Sequence, residues 1–255
     1  MHTVDTEDFV FEGNGQKLTA TRTAPADGSR PALLALHGLG ETSSRHRIRY
    51  LLEELEPTGL GWLSFDFSGN GDSTGLLRES TLRGRLAETR AAAAHLDQDR
   101  GPVLVGTSMG AHLAATLVPH LRPRALVFFS PAAYPASAAD SPFDGSSLAR
   151  PGSYPDSPAY AGLADFDGDL LIIGAAEDQV VARTVVEGYL DSAKRARSAE
   201  VLWLEGYDHF VHRRLPDEPA DRERVVRTIL RVLSASVSIP SPRPATDPAI
   251  DPQRS

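Results

Sequence analysis

Residues 102–118 read PVLVGTSMGAHLAATLV. The apolar run Val103 to Val105 predicts a short buried strand, Gly106-Thr107-Ser108-Met109-Gly110 a tight turn, and the Ala- and Leu-rich remainder a helix. That strand, turn and helix setting gives a G-x-S-x-G motif its meaning. The two glycines remove Cβ atoms that would collide where the chain reverses. Ser108 is then held at the apex in a strained conformation, with its hydroxyl pointing out of the fold. The N–H of Met109, at the start of the helix, points to the space in front of that hydroxyl, where a negative charge would be stabilised. A serine hydroxyl alone is a poor nucleophile. It needs a base to take its proton and a further group to orient the base. The rest of the chain should therefore carry a carboxylate and then a histidine, each on a loop after a later strand.

The 255 residues suit one large α/β domain with a substantial core. A formal net charge of −8 argues against nucleic acid or an anionic membrane surface as the main partner. The absence of cysteine excludes disulfides, thiolate metal sites and a cysteine nucleophile. There is no H-E-x-x-H and no group of ligands on one short element, so no metal site is predicted. The opening MHTVDTEDFVFEG lacks a basic segment followed by an apolar one, so no signal peptide is expected, and no apolar run is long enough to cross a bilayer. The expectation is a soluble cytoplasmic protein.

Working outward from the motif, residues 8–12 and 17–23 are strand-like and flank the turn signal Gly13-Asn14-Gly15, which predicts an antiparallel hairpin at one sheet edge. Pro31 to His37 is a continuous apolar strand, as expected for one buried on both faces. It ends in His37-Gly38-Leu39-Gly40, where the N–H of Leu39 is a candidate second donor to an oxyanion. A helix capped by Ser43 or Ser44 is predicted to run to about Glu56, followed by a strand over 61–67. The loop FDFSGNGDSTG after that strand lacks the G-x-G-x-x-G spacing and does not open directly into a helix, which argues against a dinucleotide site. A helix over 81–96 leads to the motif strand, and another strand is predicted over 124–130.

Regularity then stops. Residues 131–168 are rich in Pro, Ala, Ser, Asp and Gly and predict a reduced cap shaping a substrate pocket. The strand at 169–174 runs into Ala175-Ala176-Glu177-Asp178, which puts two acids on the loop after it. A helix to about Ala196 and a strand over 200–204 lead to Glu205-Gly206-Tyr207-Asp208-His209, and a last helix covers 220–233. The Pro-rich tail, 238–255, is expected to be disordered.

Alternating strands and helices predict a mostly parallel central sheet flanked by helices, with the C-terminal strand ends converging on one rim. The order serine, acid, histidine is that of the α/β-hydrolase triad, and residues 8–235 resemble an α/β-hydrolase, the domain spanning 1–237. The segments HGLGETSSRHRIRYLLEEL and FDFSGNGDSTG look like bacterial serine esterases of the feruloyl/cinnamoyl kind, and are similar to monoacylglycerol-lipase-like and dienelactone-hydrolase-like relatives. The resemblance implies carboxylic ester hydrolysis without metal or organic cofactor. Ser108 is then the nucleophile, His209 the base, and Leu39 and Met109 the oxyanion donors. Asp178 is the triad acid in preference to Glu177, because G-x-x-x-D after the strand matches the family loop.

Two departures leave the substrate open. Cinnamoyl esterases carry a better structured cap where this chain has 131–168, and dienelactone hydrolases use the cysteine that is missing here. The expected substrate is a small-molecule ester with a small to medium acyl or aromatic group. A thioesterase, an acyltransferase or a carbon–carbon bond hydrolase on the same triad are alternatives, and so is a non-catalytic binding protein of this fold. Tyr134 is a candidate substrate contact, as are Phe143, Tyr154 and Tyr160. His37 is expected to brace its own turn and His112 to pack on the motif helix. His46, His95, His120 and His212 are expected in solvent, and Asp208 is expected to be a loop acid.

Overall fold

A computed structural model describes residues 6–25, 27–97, 99–145 and 149–237. Asn14 and Gly15 adopt φ of 52° and 73°. Positive φ at both central residues is what a two-residue type I′ turn requires. It closes β1 (Thr6–Gly13) onto β2 (Gln16–Thr23) as an antiparallel hairpin. The remaining strands among the described residues are β3 (Leu33–Leu36), β4 (Trp62–Phe65), β5 (Val103–Thr107), β6 (Ala125–Phe129), β7 (Asp169–Ala175) and β8 (Ser198–Leu204). All eight form one sheet in the order β1-β2-β4-β3-β5-β6-β7-β8. From β4 to β8 every neighbour runs parallel, and β2 joins β4 antiparallel.

The central strands read as unbroken apolar runs because both of their faces are covered. Leu34, Leu36, Leu104, Leu126, Phe128 and Ile172 pack on one side with α2 (Leu82–Ala93), α3 (Met109–Thr116), α5 (Pro158–Leu163) and α6 (Arg183–Ser192). Their neighbours Leu33, Ala35, Val105, Val127, Phe129 and Ile173 pack on the other side with α1 (Arg49–Glu54) and α8 (Pro219–Val237). Short α4 (Val118–Leu121) and α7 (Val211–Arg214) complete the helices. Because β3 lies between β4 and β5, the chain winds one way through α1 and the other way through α2. The strand order therefore reverses between β3 and β5, which is where a crevice opens at the C-terminal ends of such a sheet.

Two elements differ from the sequence expectation. The helix expected from Ser43 starts at Arg49, and neither Ser43 nor Ser44 caps it. Arg45, buried upstream, holds the chain out of helical register. Its N–H donates to Asp66 Oδ1 at 2.6 Å, its Nε to Thr21 Oγ1 at 3.0 Å, and its guanidinium pairs with Asp66 and Asp72. The stretch 131–168 is not irregular throughout, because α5 lies within it and packs against α3 and α6. Parallel β6 and β7 require a crossover, and this short helix supplies it. Its small residues hid it: a Cβ on Gly162 would run into the Ala115 carbonyl of α3. The expected tail, 238–255, lies outside the described residues. No helix among the described residues is long and apolar enough to cross a membrane.

The α3–α5 contact sets the first test. Gly162→Ala is expected to lower stability by about 1–3 kcal/mol through overpacking. Urea unfolding measures this, and an unchanged midpoint would mean that α5 is not docked on α3 as described.

Candidate active site

Ser108 sits between β5 and α3 with φ 51° and ψ −111°. The strain is maintained by close backbone packing that only glycine permits. A Cβ on Gly106 would meet the Ala111 backbone, and one on Gly110 would run into the Leu36 carbonyl at the end of β3. The exit of β6 clamps the same residue: Ser108 N–H donates to the Phe129 carbonyl at 2.9 Å, and its own carbonyl accepts from Ala132 N–H at 3.1 Å.

The acid and the histidine arrive from β7 and β8. His209 Nε2 lies 3.0 Å from Ser108 Oγ, and His209 Nδ1 lies 2.8 Å from Asp178 Oδ2. Asp178 Oδ1 accepts the N–H groups of Val180 and Val181, each at 2.8 Å. Burial pushes this carboxyl up, but the His209 hydrogen bond and those two N–H groups outweigh it and hold the group below the ordinary carboxylate range. Glu177 is exposed and joins the loop through its backbone N–H, which donates to Tyr207 O at 3.0 Å. Asp208 accepts from Phe210 N–H at 2.9 Å and is a loop acid.

Leu39 follows Gly38, and Gly38 abuts the elbow: a Cβ there would stand 3.3 Å from the Thr107 carbonyl and 3.4 Å from Ser108 Cβ. Met109 opens α3, where a backbone N–H has no partner within the helix. Both candidate donors therefore belong to segments that meet at Ser108. His37 Nε2 accepts from Phe67 N–H at 3.1 Å, so the ring is neutral and Nδ1 donates to the Gly38 carbonyl at 2.8 Å. It braces the turn, as the sequence suggests.

Other expectations are corrected. Tyr134, expected as a substrate contact, is only 2% exposed and stacks edge-on against His112 in the core. His212 is buried instead of solvated, because α7 turns inward onto the sheet. Its Nε2 lies 2.9 Å from Thr107 Oγ1 and its Nδ1 lies 3.0 Å from the Tyr50 hydroxyl. His95 is half-buried against Phe9 and Phe11. Arg85 went unnoticed altogether. It lies on the buried stripe of α2 with Leu82, Thr89 and Ala92, and a charge on an apolar stripe is the signal that would have found it. Among the described residues no three or more His, Cys, Asp or Glu side chains gather as metal ligands would.

Known proteins share this fold. The model of the family described as serine aminopeptidase, S33, matches residues 27–150, a span that includes the Ser108 elbow. Est1E from Butyrivibrio proteoclasticus, solved with ferulic acid bound, superposes with a TM-score of 0.66 at 17% identity, over 89% of this chain and 99% of that one. The chain has the α/β-hydrolase fold. An esterase from Pyrobaculum calidifontis gives a TM-score of 0.66 at 21% identity, covering 92% of this chain and 86% of that one. The thioesterase domain of the curacin biosynthetic pathway gives 0.63 at 16% identity, covering 89% and 99%. No curated protein sequence matches the chain.

The buried imidazoles of the fold carry a pH signature. Burial holds His37 at about 4 and His112 and His212 at about 3. The unfolded chain protonates these rings as pH falls through about 6.5 while the folded chain does not. Stability is therefore full above about pH 6.5 and falls towards those lower values, by about 1.4 kcal/mol per pH unit for each ring. Urea unfolding at pH 7 and pH 5 should show the loss. His112→Phe, which keeps the stack on Tyr134, should reduce the slope by about one proton. An unchanged slope in that variant would show that His112 is not buried neutral.

Proposed function

We propose that the protein is a serine hydrolase that cleaves carboxylic esters of small to medium acyl or aromatic substrates through an acyl-enzyme. One observation carries the reading: an unbroken hydrogen-bonded chain runs from Ser108 Oγ through His209 to Asp178, on three different loops at one rim of the sheet. His209 takes the Ser108 proton as the oxygen attacks the ester carbonyl. Asp178 fixes the tautomer with Nδ1–H towards itself and stabilises the imidazolium that forms. The N–H groups of Leu39 and Met109 receive the oxyanion. His209 then protonates the leaving alcohol. Water, deprotonated by the same ring, attacks the acyl-enzyme, and the acid leaves with Ser108 regenerated. No cofactor enters these steps.

Two exposed apolar side chains flank the triad, among polar loop residues. Phe210 and Val180, next to His209 and Asp178, are each 44% exposed, and the Phe210 ring stands edge-on to His209 at 5.5 Å. Those two side chains could receive an apolar group of the substrate. Residues 131–145, leaving the exit of β6 beside Ser108, are the part of the 131–168 segment we assign to a reduced cap. The structural likeness to a thioesterase domain keeps thioesters as the second reading on the same residues. We place the protein in the cytoplasm, acting on a small molecule.

Treatment with a fluorophosphonate followed by intact-mass measurement tests the nucleophile without the natural substrate. Wild type should gain one adduct, mapped to Ser108, and Ser108→Ala none. A folded wild type that takes no adduct contradicts the reading. Hydrolysis of oxygen esters and thioesters of graded acyl length then separates the two substrate classes. Asp178→Asn keeps the shape but removes the tautomer control, and is expected to lower kcat by about 10⁴. A loss of less than tenfold would move the acid's role elsewhere.

A further inference from the structure

Arg85 is 0% exposed, yet its guanidinium has no ion-pair partner among the described residues and its Nε–H has no acceptor. The acid on its helix, Glu88, attracts it across the core but makes no direct ion pair, its carboxylate accepting from Ser68 N–H at 3.0 Å and from Ser68 Oγ at 2.6 Å. Burial lowers the guanidinium to about 10, so it keeps its proton at neutral pH. The rings of Phe67 and Phe143 lie 4.8 and 4.9 Å from its central carbon. A buried cation without a direct ion pair carries a desolvation cost that its remaining hydrogen bonds only partly offset.

Its donors lead to both arms of the proposed oxyanion site. Nη2 donates to Asn70 Oδ1 at 2.8 Å, and Asn70 Nδ2 donates to the Gly40 carbonyl at 2.8 Å. Gly40 follows Leu39. The second nitrogen, Nη1, lies 3.8 Å from the sulfur of Met109. A guanidinium only donates, so it fixes which end of the buried Asn70 amide faces it. The amide nitrogen is thereby turned towards Gly40. The flipped amide would set oxygen against the Gly40 carbonyl.

We propose that Arg85, acting through Asn70 and Met109, is a positioning residue for the oxyanion site, and that its buried charge favours the negative transition state over the neutral ester. This rests on the serine-hydrolase reading. It differs from substrate binding in a measurable way: the benefit arises only as the oxyanion forms, so kcat responds and KM does not.

The test uses Arg85→Met, Arg85→Lys and Asn70→Ala in the full chain. The readouts are p-nitrophenyl butyrate kinetics, inhibition by an aryl trifluoromethyl ketone, fluorophosphonate labelling and thermal melting. Arg85→Met and Asn70→Ala should each lower kcat by about 10- to 100-fold, the scale of a misplaced oxyanion donor. KM should stay within about twofold, and the ketone, which forms an oxyanion on Ser108, should weaken in parallel with kcat. Arg85→Lys, which keeps the charge and loses the fork, should recover part of the rate. Wild type labelled at Ser108 with kcat in both variants within about twofold of wild type overturns this inference alone. A rise in KM at constant kcat also overturns it, since the loss would then be in ground-state binding. A rate loss that merely follows the folded fraction, with ketone affinity unchanged, overturns it as well. If Arg85→Met does not fold, Asn70→Ala decides. An unlabelled wild type removes the hydrolase reading, and this inference with it.

Discussion

The first turn of α3 lies so close to the ends of β3 and β5 that no side chain fits between them. Gly110 faces the Leu36 carbonyl, Gly106 faces the Ala111 backbone, and Gly38 faces the Thr107 carbonyl. This approach forces Ser108 into positive φ and presents its hydroxyl at the rim. It also brings the loop after β3 alongside the serine, so the nucleophile and the Leu39 segment are placed by one packing contact. The β6 exit, bonded to Ser108 on both its N–H and its carbonyl, resists the relaxation that strain would otherwise drive.

The loop after β4 is the second organiser, and its polar residues each hold a different neighbour. Asp66 binds Arg45 and the N–H of Asp72, Ser68 takes Glu88 of α2, Asn70 bridges Gly40 to Arg85, and Phe67 N–H fixes the tautomer of His37. These groups are buried, so each unmade bond would carry its full desolvation cost. The loop reads in sequence as a glycine-rich turn without a ligand. In the fold it is a polar scaffold on which the loop after β3 rests.

Two kinds of titratable group surround the serine. His209 and Asp178 form a short hydrogen-bonded pair at the rim, largely covered but reaching Ser108, where proton transfer to and from its hydroxyl is possible. His37, His112 and His212 are buried and neutral beneath it. The structure thus keeps its interior imidazoles silent and leaves one imidazole in contact with both the serine and an acid. Arg85 adds a charge retained in the core beneath the elbow.

The sequence by itself determined the class of fold, the hairpin, most of the strands and the three residues that meet at the rim. Those features are local: apolar runs of strand length, an Asn-Gly turn, and a G-x-S-x-G whose glycines are demanded by backbone geometry within a few residues. Choosing Asp178 over Glu177 needed a family loop pattern, and the structure separates them by the direction each side chain takes. Tertiary structure alone decided the rest. The start of α1, the short α5, the burial of Tyr134 and His212 and the role of Arg85 depend on contacts between residues far apart in the chain. The Arg45–Asp66 pair and the α3–α5 approach have no signature in hydrophobic period, because a buried polar pair looks like surface and a helix of small residues looks like loop.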